Sequence, residues 1–122
     1  IKKIKKNNNK LRILGDGKQN KSYIHVSDVA NTFSQSINNP KYRNQVFNIA
    51  NDDTVTVNFI AKNVLTLMGL LKKTKIEYSG GNVGWKGDVA KIRLSNKKIK
   101  KTNWKFLLNS KQSIKKAINE LI

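Results

Sequence analysis

Short β-favouring runs alternate along this chain with stretches whose apolar residues recur every three or four positions. That alternation, with no internal repeat and no low-complexity linker, restricts the chain to a mixed α/β layer structure. Leu11-Arg12-Ile13-Leu14 reads as a strand closed by the tight turn Gly15-Asp16-Gly17, and Ser22-Tyr23-Ile24-His25-Val26 as a second strand. Ser27 then stands at an N-cap position with Asp28 in the first turn, and Val29, Ala30, Phe33 and Ile37 fall on one helical stripe. That helix should stop near Asn38-Asn39, before Pro40. Gln45 to Ala50 reads as a compact apolar strand followed by the turn Asn51-Asp52-Asp53. Thr56 is placed to cap a helix carrying Phe59, Ile60, Val64, Leu67 and Met68, with Gly69 just past its end. Lys75 to Tyr78 is a further short strand. Two basic helices, about Ser95 to Thr102 and Ser110 to Leu121, finish the chain, with Trp104 and Phe106 between them as packing anchors.

The 122 residues fit one small domain, and with no cysteine and one histidine its stability rests on a modest apolar core. The missing cysteines exclude a disulfide scaffold, a zinc finger and a thiol nucleophile. No stretch approaches the roughly 20 apolar residues of a membrane span, and no secretory signal opens the chain, so the expected location is the cytoplasm. Residues 1–9, with Ile1 and Ile4 among lysines and then Asn7-Asn8-Asn9, read as the end of a helix begun upstream. The chain opens on Ile1 and its one methionine is Met68, so the expectation is a piece of a longer polypeptide.

A formal charge of +18 points, taken alone, to a polyanion such as nucleic acid. The basic residues, however, are 22 Lys and three Arg, which supplies charge without the rigid donor fork of arginine. Together with 17 Asn and 13 Ile, they look like compositional drift more than a dedicated site. Nucleic-acid contact is therefore expected to be non-specific, and a Lys-rich polyanion-binding module is the alternative reading.

Few residues could carry catalysis. His25 is the one imidazole, and a Ser27-His25-Asp28 triad would need side chains on different faces; a histidine satisfied by hydrogen bonds is the simpler reading. One histidine and scattered carboxylates do not assemble a metal site. Gly15-Asp16-Gly17 is not a dinucleotide fingerprint, because Asn20 stands where the third glycine belongs. The segment Gly80 to Asp88 has more promise: it joins backbone freedom, the Trp85 plate, the Lys86 cation and the Asp88 carboxylate, which suits a loop closing over a nucleotide. It reads equally as a glycine-rich connection with Trp85 packed beneath it. Lys21 is a further candidate phosphate ligand.

These residues resemble a known family. Leu14 to Gln19 followed by Lys21 to Ala30, then Val46-Phe47-Asn48-Ile49-Ala50, Gly84-Trp85-Lys86-Gly87-Asp88-Val89 and Asn103-Trp104-Lys105 are similar, in order, to motifs of the extended short-chain dehydrogenases. The resemblance is to the C-terminal substrate-binding part of the NAD-dependent nucleotide-sugar epimerase/dehydratase family, the group of the UDP-glucose 4-epimerases. It runs from about residue 11 to the end.

The resemblance implies a mixed α/β substrate-binding part, residues 1–122, without the Rossmann cofactor domain. NAD would serve the complete enzyme and not this chain alone. The family's catalytic tyrosine and lysine lie four residues apart. The residues four beyond Tyr23, Tyr42 and Tyr78 are Ser27, Val46 and Asn82, so no such pair exists here. By the same resemblance, Lys21 matches a basic residue that contacts substrate phosphate, Asp88 matches a loop aspartate near the nucleotide, and Trp85 and Lys86 lie in that loop. Val83 stands where related loops commonly carry arginine, and Ala90 where they carry proline. Losing a bidentate phosphate donor weakens binding by about 1.5–3 kcal/mol, which Lys86 would offset in part. The implied partners are a nucleotide sugar and a Rossmann portion or separately encoded chain, and apolar surface left bare by its absence would favour self-association.

Overall fold

A computed structural model describes residues 1–89 and 91–122. Helix α1, Lys2–Lys6, buries Ile4 and leads into β1, Lys10–Ile13. β1 runs parallel to β4, Lys75–Tyr78, with Lys10 opposite Lys75 and Ile13 opposite Tyr78. Between them the chain makes β2, Asn20–Lys21, then α2, Val26–Ile37, a 3₁₀ turn at Pro40–Tyr42, β3, Val55–Thr56, and α3, Val57–Leu67. After β4 come β5, Lys91–Ile92, α4, Lys97–Lys100, and α5, Ser110–Leu121. β2 is the centre of a second, three-stranded sheet, antiparallel to β3 and parallel to β5. The mixed α/β class expected from the alternation is the one observed.

The core gathers Ile4, Ile13, Val55, Val64, Leu65, Ile99, Trp104 and Ile118, with α3 packed on α5. α3 follows its sequence signals: the Thr56 hydroxyl accepts from the Phe59 N–H at 3.1 Å, and Gly69 takes the left-handed conformation just past the helix end. α5 spans the expected residues, opened by a reciprocal cap in which Asn109 and Gln112 each accept the other's backbone N–H at 2.9 Å. Trp104 is buried and meets Phe106 edge to face with 5.7 Å between ring centroids. α1 ends at Asn7, as the asparagine run suggested.

Other expectations need correcting. The strand expected over residues 22–26 is only β2, one step earlier, because side chains take over the next backbone groups. Tyr23 O accepts from Asn51 Nδ2 at 2.6 Å and Tyr23 N–H donates to Ser110 Oγ at 3.1 Å, leaving no ladder to extend. Residues 45–50 form no strand and pair with none among the described residues. Lys98 Nζ and Asn96 Nδ2 instead donate to the carbonyls of Val46 and Ala50, at 2.9 and 2.8 Å. The basic helix expected over 95–102 shrinks to α4, since Thr102 closes a turn on Ile99 O through both its amide and its hydroxyl.

α2 differs most. Its N-cap is His25, not Ser27: Nδ1 accepts the Ser27 N–H at 3.2 Å, so the helix starts two residues earlier than a cap at Ser27 would allow. Its fully buried positions are Asp28 and Thr32, while Phe33 and Ile37 of the apolar stripe are 64% and 79% exposed. The polar face turns inward because it binds the segment before α5. Asp28 accepts from Leu107 N–H at 2.6 Å, and Thr32 Oγ1 accepts from the Trp104 indole at 2.7 Å.

Candidate functional site

Lys21 and Asp88, 67 residues apart, meet through Lys21 Nζ and Asp88 Oδ1 at 2.6 Å. β2 fixes Lys21 by pairing on both sides, with Val55 and with Ile92. The Asp88 side chain is only 9% exposed, and its other oxygen accepts the Gly84 N–H at 3.0 Å. The Lys21 ammonium, and after it the Gly84 N–H, hold the Asp88 carboxyl below the usual aspartate range.

The start of this loop is fastened to the end of β1. Gly15 N–H donates to Ser79 Oγ at 2.8 Å and Gly80 N–H to Gly15 O at 3.2 Å. Gly15 has φ +80°, and a β-carbon there would lie 1.9 Å from Gln19 Nε2 and 2.8 Å from Val83 O, so only glycine fits.

This pair lines a cavity of about 360 Å³, as do Lys3 and Arg12. The wall is apolar, with Ile4, Leu11, Ile13, Val57, Ile60 and Val64, and Gln19, Tyr23, Gly84 and Trp85 line it with the ion pair. Such a mixture, an apolar chamber with a few convergent polar groups, is what small-molecule sites are made of. Trp85 is 65% exposed, its ring over Gly87, so it is not packed beneath the loop. Lys86 is exposed and lies outside the cavity lining. Val83 is exposed beside the loop, and Ala90 falls outside the described residues.

Gln19 went unnoticed in the sequence. Its side chain is buried, Nε2 donates to Leu14 O at 3.0 Å, and Oε1 has no hydrogen-bond partner among the described residues. The available signal was its place two residues before Lys21, a spacing that puts side chains on one side of an extended segment.

The triad candidate does not assemble. Asp28 turns to the amides of Leu107 and Leu108, whereas buried His25 bonds Ser27 Oγ through Nδ1 at 2.7 Å and Glu120 through Nε2 at 3.0 Å. Ser27 lies in the first turn of α2, so the arrangement ties that turn to the end of α5. Among the described residues no three His, Cys, Asp or Glu side chains group to hold a metal, and no helix is long and apolar enough to cross a membrane.

The model of the NAD dependent epimerase/dehydratase family matches residues 1–50. A curated protein of Methanocaldococcus jannaschii named "Putative UDP-glucose 4-epimerase" is 30% identical over 122 residues, 98% of this chain and 36% of the relative. The crystal structure of a Thermotoga maritima UDP-glucose 4-epimerase with UDP-glucose superposes with a TM-score of 0.75 at 26% identity, over 93% of this chain and 35% of that one.

The chain is therefore similar, in sequence and in fold, to members of the NAD-dependent epimerase/dehydratase family. A Bacillus anthracis dTDP-glucose 4,6-dehydratase in complex with NAD shares its fold, with a TM-score of 0.73 at 24% identity over 96% of this chain and 36% of that one. The chain thus spans about a third of the length of these epimerase/dehydratase relatives. Its residues do not fit NAD by themselves. α2 and α3 open on His25 and Thr56, with no glycine-rich turn to receive a pyrophosphate, and no tyrosine has a lysine four residues on.

Proposed function

We propose that these 122 residues form the C-terminal, nucleotide-sugar-binding part of an epimerase/dehydratase. The cofactor site and the tyrosine-lysine pair are then supplied by polypeptide outside these residues, in the same chain or another. The observation that carries this reading is the convergence of Lys21 Nζ and the Gly84 N–H on the two oxygens of one carboxylate, at 2.6 and 3.0 Å, beside an apolar cavity. A cation and a backbone amide that hold the two oxygens of a carboxylate can hold two oxygens of a phosphate in the same way. The apolar wall formed by Leu11, Ile13, Val57 and Ile60 takes the flat, weakly polar base, and the exposed Trp85 ring offers a stacking face at the loop. Lys86 adds charge nearby without a fixed contact. The UDP-glucose complex of the Thermotoga maritima relative supports a nucleotide sugar as the ligand class.

The uncovered side of the molecule agrees with a missing neighbour. Val26, Phe33, Ile37 and Val46 are 64–84% exposed, and residues 45–50 pair with no strand among the described residues. The rest of an epimerase/dehydratase would cover this face, and in its absence a second copy of the chain does so.

The test is calorimetric titration of the chain with UDP, dTDP and free glucose, repeated with Lys21→Gln. Binding of the nucleotides, no binding of glucose and a loss of roughly tenfold or more in the variant are expected. A nucleotide affinity unaltered by Lys21→Gln would remove the assigned site.

A further inference from the structure

The nucleotide reading leaves one contact unexplained, and the inference drawn from it rests on that reading. The two donors assigned to the ligand phosphate are already occupied: Asp88 places Oδ1 on Lys21 Nζ at 2.6 Å and Oδ2 on the Gly84 N–H at 3.0 Å. We propose that Asp88 is an internal competitor for the phosphate site, a carboxylate latch that a nucleotide must turn out before Lys21 and Gly84 can hold it.

Three features make the contact a latch. The first is position: donor and latch line the same cavity, so the carboxylate does not cap a remote surface lysine. The second is shelter. The Asp88 side chain is 9% exposed and Lys21 32%, so solvent screens the pair less than it does Lys10 with Glu77, where the exposures are 61% and 36%. The third is the frame. Gly84 and Asp88 form a closed turn in which Asp88 N–H also donates to Trp85 O at 3.0 Å, while Gly80, Gly81 and Gly87 take left-handed backbone conformations. The carboxylate is thus carried by the segment that would have to move, whereas Lys21 is carried by the central strand of a sheet.

Release of Asp88 exchanges one anion for another on the same donors, so charge at Lys21 stays compensated throughout. The exchange sets a threshold: a ligand with one phosphate replaces the carboxylate contact for contact, while a diphosphate adds a second phosphate to the field of Lys21. Diphosphates should therefore open the site more effectively than monophosphates, and sugars without phosphate should not open it.

The experiment compares the wild-type chain with Asp88→Asn and Asp88→Ala, titrated with UDP and with inorganic pyrophosphate by calorimetry. Tighter binding by roughly tenfold in either variant supports the latch, including the case in which only a variant binds. Wild-type binding that the variants equal or weaken overturns the latch and leaves the nucleotide reading standing. Binding by none of the three proteins overturns both. A readout on the unmodified chain removes dependence on the variants' folding. The Asp88 side-chain carboxyl resonance should shift as pyrophosphate saturates, and saturation without that shift overturns the latch.

Discussion

The indole of Trp104 donates to Thr32 Oγ1 at 2.7 Å, and Thr32 passes its own proton to Asp28 O at the same distance. This short relay, with Asp28 accepting from Leu107 N–H at 2.6 Å, fastens α2 to the segment that precedes α5. Asp28 and Thr32 are buried, so the bonds are made where water cannot replace them. Asp28→Ala should cost about 2–4 kcal/mol, read as a fall in urea midpoint, because it strands backbone donors in the interior. Asp28→Asn should cost less, since an amide oxygen keeps one of the two contacts.

Gly15→Ala tests the hinge between β1 and the 79–88 loop. The φ of +80° costs an L-residue about 1–2 kcal/mol before any clash, and the new methyl would meet Gln19 Nε2 and the Val83 carbonyl. Gln19 can swing away; the backbone carbonyl must shift, taking the loop with it. Lost nucleotide binding together with lowered thermal stability is expected. Gly81→Ala, where the added carbon meets nothing within 4 Å, should bear only the conformational cost.

The Lys21–Asp88 contact has a defined pH dependence. The Asp88 carboxyl titrates below its ordinary 3.8 in the folded chain, so the contact is fully present above that value and is lost as pH falls through the lowered one. An NMR titration of the side-chain carboxyl should be flat from pH 8 to about 5 and move only in more acidic solution. A midpoint at or above the ordinary value would mean that the pair does not form in solution. Asp52, held by Lys100 and Asn96, should titrate in the same direction.

Ile37→Lys and Phe33→Lys probe the bare face of α2. Both residues are mostly exposed, so stability should change by less than about 0.5 kcal/mol. Self-association, followed by sedimentation at rising concentration, should weaken. Unchanged association would locate the contact elsewhere.

The excess of lysine makes a separate statement. If it is a general surface property, binding to duplex DNA should fall steeply with salt and be insensitive to base sequence. No single Lys→Gln change among the exposed lysines should alter it much. Tight binding that survives physiological salt and depends on one lysine would instead indicate a dedicated polyanion site.

Where local signals acted alone, sequence and structure agree. Thr56 caps α3 and Gly69 ends it, through bonds within a few residues, and α5 spans the expected Ser110–Leu121. Agreement fails where a distant side chain decides. Asn51 and Ser110 replace the ladder that would have extended β2, and the pull of Leu107, Leu108 and Trp104 on Asp28 and Thr32 turns the polar face of α2 inward. The apolar periodicity of α2 was real, but it marks a face left open in these 122 residues.

The site shows the same division. Lys21 and Asp88 stood out as separate candidates, and their meeting across 67 residues needed the β2–β5 pairing that brings the loop to the strand. Gln19 closes the Leu14 to Gln19 run without a role assigned to it, and its place in the site became visible only through its burial and its unpartnered oxygen.

Nucleotide binding beside the Lys21–Asp88 pair is tested most directly by mapping UDP onto the isotope-labelled chain by two-dimensional NMR. Saturable shifts confined to Gln19, Lys21, Gly84, Trp85, Asp88 and the β1 wall are the expected result. Shifts scattered over the exposed lysines, or none at millimolar UDP, would contradict it.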